Sequence, residues 1–179
     1  ENASVIEALL NGADGAWGGL PKRAAIIGHA SLGELIANLV RVGNPHMQAS
    51  YRLDQLLQLA TRLQVLDEEE PVPDDLPILG NNAYRLPLSF FRQQAGRFMD
   101  LPPEAIGGAY RYRICPVVSD AAVIAGRLAE VTGQAAESFP EVVLDRMIRL
   151  MRRDLRAGKR IAYDEPVQLM QLFARASRL

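Results

Sequence analysis

Apolar residues recur at helical spacing along most of this chain, and alternating stretches are short and few. Residues 2–10 place Ala3, Ile6, Leu9 and Leu10 together, with Asn11-Gly12 as a C-terminal stop. Residues 13–17 then read as a short strand. After a loop of small residues, Ser31 and Glu34 have capping-box spacing, and Leu32, Leu35, Ile36, Leu39 and Val40 line a helix that Gly43 ends. Leu53, Leu56, Leu57, Ala60, Leu63 and Leu66 predict another amphipathic helix, running into a solvated acidic stretch, Asp67-Glu68-Glu69-Glu70. Phe90, Phe91 and Phe98 predict a short helix held against the core.

The second half reads in the same way. Residues 101–118 are interrupted by Pro and Gly, with Tyr110, Tyr112 and Ile114 alternating as in a short strand. Three capped helices follow. Ser119 or Asp120 caps the first, with Val123, Ile124, Leu128 and Val131 inward. Ser138 caps the second, with Pro140 in its first turn and Glu141 completing the box, and Leu144, Met147, Ile148, Met151 and Leu155 form its apolar stripe as far as Gly158. Asp164 caps the last, through Phe173.

Composition narrows the classes. The 179 residues are 49% hydrophobic and 23% charged, with a formal net charge of −1, so no overall bias toward nucleic acid or an anionic membrane exists. No apolar run approaches the roughly 20 residues of a membrane span. One cysteine, Cys115, excludes an internal disulfide framework and fits a reducing, cytoplasmic setting; it reads as a buried small hydrophobe. The chain opens at Glu1-Asn2 without a start methionine or signal-like segment, which leads us to expect a piece of a longer protein. Seven basic residues between Arg146 and Arg160 read as a solvated helix face rather than a nucleic-acid site, because too few aromatics interleave to stack bases. The glycines at 18, 19, 107 and 108 spell no phosphate-binding motif.

The most specific stretch is 71–91, PVPDDLPILGNNAYRLPLSFF. Its Pro77, Gly80, Asn82, Ala83 and Tyr84 resemble the segment that follows the barrel in acetyl-CoA-dependent Claisen-condensing enzymes, the isopropylmalate, homocitrate and citramalate synthases of the DRE-TIM metallolyase (HMGL-like) superfamily. Gly19-Leu20-Pro21-Lys22-Arg23-Ala24 and Gly28-His29-Ala30-Ser31-Leu32 resemble the motif at the end of that barrel. The likeness is strongest over 18–40 and 53–84 and weakest over 92–118. Asn81 stands at the family's Glu, and Leu86 and Phe91 stand where its histidines fall.

The resemblance implies a mainly α chain: the last βα unit of a (β/α)8 barrel followed by helical post-barrel subdomains. The corresponding divisions are a barrel remnant at 1–45, a helical linker subdomain at 46–100 and a helical subdomain at 101–179. It implies acyl transfer from acetyl-CoA or another acyl-CoA to a 2-oxoacid, with a divalent metal (Zn, Mg or Mn) as Lewis acid and a homodimer as the working unit. The metal ligands of the family, an Asp on the first strand and a His-x-His pair on the sixth, are expected upstream of Glu1, so these residues alone are expected to be inactive and to hold no metal. His29 occupies the position of an Asn near the metal and is the candidate ligand; its other reading is a loop histidine facing water. Tyr110 falls near the family's catalytic tyrosine and is the candidate proton-transfer group; its other reading is packing. His46, after Asn44-Pro45, reads as an exposed turn residue. The departures fit a divergent condensing enzyme, or a lyase or aldolase-type relative, better than an ordinary isopropylmalate synthase. A catalytically inactive helical module for assembly or regulation is the competing class.

Overall fold

The computed structural model describes residues 2–20, 28–68, 72–94 and 101–178, and they are mainly helical. Phe98, residues 21–24 of the barrel-end motif, and Glu69 and Glu70 lie outside the described residues. The chain divides into two compact units: Glu1–Tyr84 with Met99–Ala109, and Arg85–Phe98 with Tyr110–Leu179. Among the described residues no helix is long and apolar enough to cross a membrane.

The first unit begins with helix α1 (Asn2–Leu10), which buries none of its residues. The strand expected at 13–17 is absent: those residues are all exposed, and Trp17 is 87% exposed. Pairing falls instead on β1 (Gly18–Gly19), parallel to β2 (Ala30–Ser31). Sterics account for the shift, because a Cβ on Gly18 would lie 2.8 Å from the Ala30 carbonyl oxygen. Helix α2 (Leu32–Arg41) follows and buries Leu35, Ile36 and Ala37. Ser31 precedes it without a side-chain cap; Asn2 Nδ2 donates to the Glu34 carboxylate at 2.7 Å. Burial pushes the Glu34 carboxyl up, opposed by hydrogen bonds from Ser31 and Asn2.

Helix α3 (Pro45–Ser50) is capped by Asn44, whose side chain accepts from Met47 N–H at 3.1 Å. A 3₁₀ turn, Leu53–Gln55, leads into α4 (Leu56–Glu68). Leu56, Ala60, Leu79 and Ile106 form this unit's core, with Leu53, Leu57, Leu76 and Tyr84 packed against it. Leu66, expected on the inner stripe, is 70% exposed. Residues 74–84 fold into consecutive turns, in which Gly80 N–H donates to Leu76 O at 2.8 Å and Asn82 N–H to Asp74 O at 2.8 Å.

The second unit opens with β3 (Arg85–Leu86), parallel to β4 (Arg111–Tyr112). Helix α5 (Ser89–Gln93) follows β3, but Phe90 and Phe91 are exposed rather than held in the core, stacking edge to face at 5.9 Å. Helix α6 (Ala121–Thr132) is capped by Asp120, which accepts from Val123 N–H at 2.9 Å and from Ser89 Oγ at 2.6 Å. Ser119, the other expected cap, is buried and accepts from Cys115 N–H while donating to Pro87 O. Cys115 itself is only partly buried.

Two helix starts move for one reason. Proline disfavours helical geometry in the residue before it, so Phe139 and Glu165 are extended. Helix α7 (Glu141–Arg156) therefore begins after Pro140, and Ser138 closes a 3₁₀ turn instead of capping. Helix α8 (Pro166–Ser177) begins at Pro166, which frees the Asp164 carboxylate for other partners. The core joins α6, α7 and α8 through Ile124, Leu128, Leu144, Met147, Met151, Leu169 and Leu172. Leu155 is 44% exposed, and Leu150 and Asp154 turn inward instead.

Asp164 and Glu130 end the small parallel sheet. Ile114 N–H donates to Asp164 Oδ1 at 2.9 Å and Tyr112 N–H to Glu130 Oε1 at 2.9 Å, so carboxylates take the bonds that a third strand would otherwise make. Arg127 holds both acids, reaching Glu130 at 2.8 Å and the Asp164 backbone carbonyl at 2.9 Å. Arg85 adds an ion pair to Asp164 at 3.2 Å. Inside α6, Gly126 lies against the Tyr112 ring with no room for a Cβ. Gly126→Ala should therefore destabilise the chain by about 1–3 kcal/mol through overpacking. Adding Tyr112→Ala should recover part of that loss in thermal melts; additive losses would show that the contact does not matter.

Candidate functional site

The two residues singled out from the sequence lie in different units, and each is taken by itself. His29 follows Gly28, whose φ is 93°, and precedes β2 in the first unit; it is exposed. His46 is exposed on α3. Among the described residues no group of three or more His, Cys, Asp or Glu side chains could hold a metal ion. A zinc or similar site needs three or four converging ligands, so the residues present do not fit the cation that the resemblance implies. Tyr110, in the second unit, immediately precedes β4 and is partly buried, with its hydroxyl oxygen shielded from solvent. Leu86, at the family's first histidine position, is buried in β3, and Phe91 lies exposed on α5.

The turns at 74–84 build the motif that carries the resemblance. Ile78 has a positive φ of 65°, and Leu79 N–H donates to Pro77 O at 2.7 Å, which makes Ile78 the centre of a strained γ-turn. A β-branched residue in that region is an outlier costing on the order of 1–3 kcal/mol. Gly80 is required there for space, since a Cβ would stand 2.5 Å from the Asp74 carbonyl oxygen and 2.6 Å from that of Leu76. Asn81 Nδ2 donates to Asp74 Oδ1 at 2.9 Å. The motif is thus a rigid turn that presents Asn81 and Asn82 to solvent.

A strongly displaced pair of titratable groups was not among those expected from the sequence. Asp154, on α7, is 2% exposed, and three donors converge on it: Tyr163 Oη at 2.7 Å, Lys159 Nζ at 3.1 Å and Arg175 at 3.1 Å. The Tyr163 hydrogen bond, with help from the two cations and against burial, brings its carboxyl down to about 2. Burial, with the Asp154 carboxylate beside it, pushes the Tyr163 phenol up to about 12. The helical period that places Leu144, Met147 and Met151 inward also places position 154 inward, and that was the available signal. A carboxylate pinned so low, with every partner already in place, cannot work as a base near neutral pH. It is a structural centre.

The pH dependence follows from the sign of each shift. The Asp154 pKa is depressed, so its contribution is complete above the unfolded value near 3.8 and disappears as pH falls through about 2. The Tyr163 pKa is raised, so its share is complete below about 10 and is lost as pH rises through about 12. Chemical denaturation should show a loss of about 2 kcal/mol between roughly pH 4 and pH 2. Asp154→Asn should be less stable at neutral pH and lack that step; a variant retaining the full step would assign it to other carboxylates.

Beyond these clusters, the first unit carries a 560 Å³ groove along α4, lined by Leu57, Thr61, Arg62, Val65 and Leu66 with Gly107. The second carries a 450 Å³ pocket between the α6 start and α7, lined in part by Asp120, Asp145, Arg149 and Arg152.

Compared with known proteins, the chain matches no family model, and no curated protein or solved structure gives a significant match.

Proposed function

We propose that this chain is the post-barrel portion of a divergent acyl-CoA Claisen-condensing enzyme, similar to the isopropylmalate and homocitrate synthases and acting on a 2-oxoacid in the cytoplasm. Its helices would cover the active-site mouth and supply dimer contacts. Such cover excludes water from the acetyl-CoA enolate before it attacks the ketone carbon.

The observation that carries this reading is the parallel pairing of β1 with β2 soon after an apolar helix that has no fully buried residue. Parallel strands belong to sheets covered by helices on both faces, so a two-residue parallel ladder beside a helix with only partly buried residues suits the edge of a larger α/β body. The exposed Leu10 and Trp17, at 82% and 87%, fit surface meant for such a neighbour. The divalent cation of such an enzyme would be held by residues other than the described ones, with this chain contributing enclosure and, through Tyr110, proton transfer.

One observation favours a second reading, a helical assembly or regulatory module without catalysis. Leu86 is buried in β3 where the family's histidine would stand, so that position is closed to proton transfer.

The intact protein decides between them. Supplied with acetyl-CoA and a panel of 2-oxoacids, it should release free CoA with at least one acceptor. Tyr110→Phe should then lower kcat about 100-fold, the usual scale for general acid–base catalysis, with little change in KM for acetyl-CoA. An unchanged kcat would leave Tyr110 as packing, and no CoA release with any acceptor would favour the module.

A further inference from the structure

The apolar stripe of α7 runs through Leu144, Met147 and Met151 to Leu155, but its cover stops short of the end. Met151 is fully buried, whereas Leu155, one turn further on, is 44% exposed. There the second unit opens into a 380 Å³ cleft, within the size range of small-molecule sites. Met151 and Leu155 line it from α7, Pro116 from the segment ahead of α6, and Ile161 from the connector between α7 and α8. All of these belong to one compact unit.

The charges at this cleft have one sign. Lys159 and Arg160 line it, and among the described residues no carboxylate does. Asp154 lies behind Lys159, with its oxygens already taken by Tyr163, Lys159 and Arg175. Lys159 gives that carboxylate one of its three N–H groups and is 56% exposed, so it can still donate outward. Arg160 is exposed and, among the described residues, has no ion-pair or hydrogen-bond partner. The connector carrying both is held by Lys159 N–H to Asp154 O and Tyr163 N–H to Ile161 O, each at 3.0 Å, so the backbone of this wall is set before any ligand enters. An aliphatic wall ending in two cations suits an aliphatic body ending in an anion. The small volume favours a single chain with a compact head, and the fork of a guanidinium matches a carboxylate. We propose that this cleft binds a medium-chain aliphatic carboxylate, with its chain on Leu155 and Ile161 and its head at Arg160 and Lys159. The inference does not rest on the acyl-CoA reading.

Calorimetric titration of the full chain with octanoate should show a single saturable site with a Kd of about 1 mM or tighter. Burial of two further methylenes should make octanoate bind about tenfold more tightly than hexanoate. Octanol, with the same chain and no charge, should bind about tenfold more weakly than octanoate. Arg160→Gln should weaken octanoate about tenfold, with helical content and melting temperature near wild type. Leu155→Glu, which sets a carboxylate in the path of the chain, should abolish binding; Arg160→Gln decides the matter if that variant does not fold. Absence of saturable octanoate binding, equal affinity for octanoate and octanol, a folded Arg160→Gln that binds as wild type does, or capture by phosphatidylglycerol vesicles of a chain that ignores free octanoate would each overturn the proposal.

Discussion

A carboxylate withdrawn from water destabilises a fold unless its charge is met on several sides, and Asp154 is met on three. Its partners come from separate places: Lys159 just beyond α7, Tyr163 in the connector and Arg175 near the end of α8. Gly158, at a φ of 76°, lets the chain turn back, and Lys159 N–H donates to Asp154 O at 3.0 Å. One side chain thereby fixes where α7 stops, how the connector returns and how α8 lies against it. The apolar contacts among these helices could be made at more than one register. A buried charge with three donors favours the register that keeps all three in reach.

Carboxylates have a second role in the same unit, which is to end a sheet. Two-residue parallel ladders are weak, and open strand edges invite further pairing. Glu130 and Asp164 occupy the N–H groups of Tyr112 and Ile114, while Arg127 balances both acids. The outer edge of β4 is thus occupied. In the first unit Gly18 and Gly19 meet Ala30 and Ser31, and the helix before them has no fully buried residue. That incompletely buried helix is why the functional reading looks for a neighbour on the side of the first unit.

Most helices were legible because helical spacing of apolar residues survives into the structure, as in α2, α4 and α6. The misplaced details have local causes. Ser138 and Asp164 are good caps by residue type, but a proline two positions on moved each helix start by forcing the intervening residue extended. Residues 13–17 offered a strand without a partner, and the ladder formed where glycine allowed close approach. Phe90 and Phe91 were expected in the core from residue type alone, yet a five-residue helix has too little length to bury both. Asp154 sits among seven basic residues that mask it by residue type, although its position in the helical turn places it inward. His29 and Tyr110 were legible only through likeness to a family, since nothing in their spacing marks them.

That likeness divides by position. Gly80 is fixed by the absence of room for a Cβ, and Ile78 by a turn whose strain the surrounding core sustains, so agreement at Pro77, Gly80 and Ala83 speaks for a turn of defined shape. A turn of this kind can set polar side chains in place, and this one presents Asn81 and Asn82 to solvent. Proton transfer makes a different demand, for a side chain that can take up and give back a proton. Leu86 and Phe91 cannot meet it, and the ionised, fully engaged Asp154 cannot replace them. On the proposed reading, proton transfer falls to Tyr110 or to residues beyond those described, and the turn at 74–84 would supply position rather than protons.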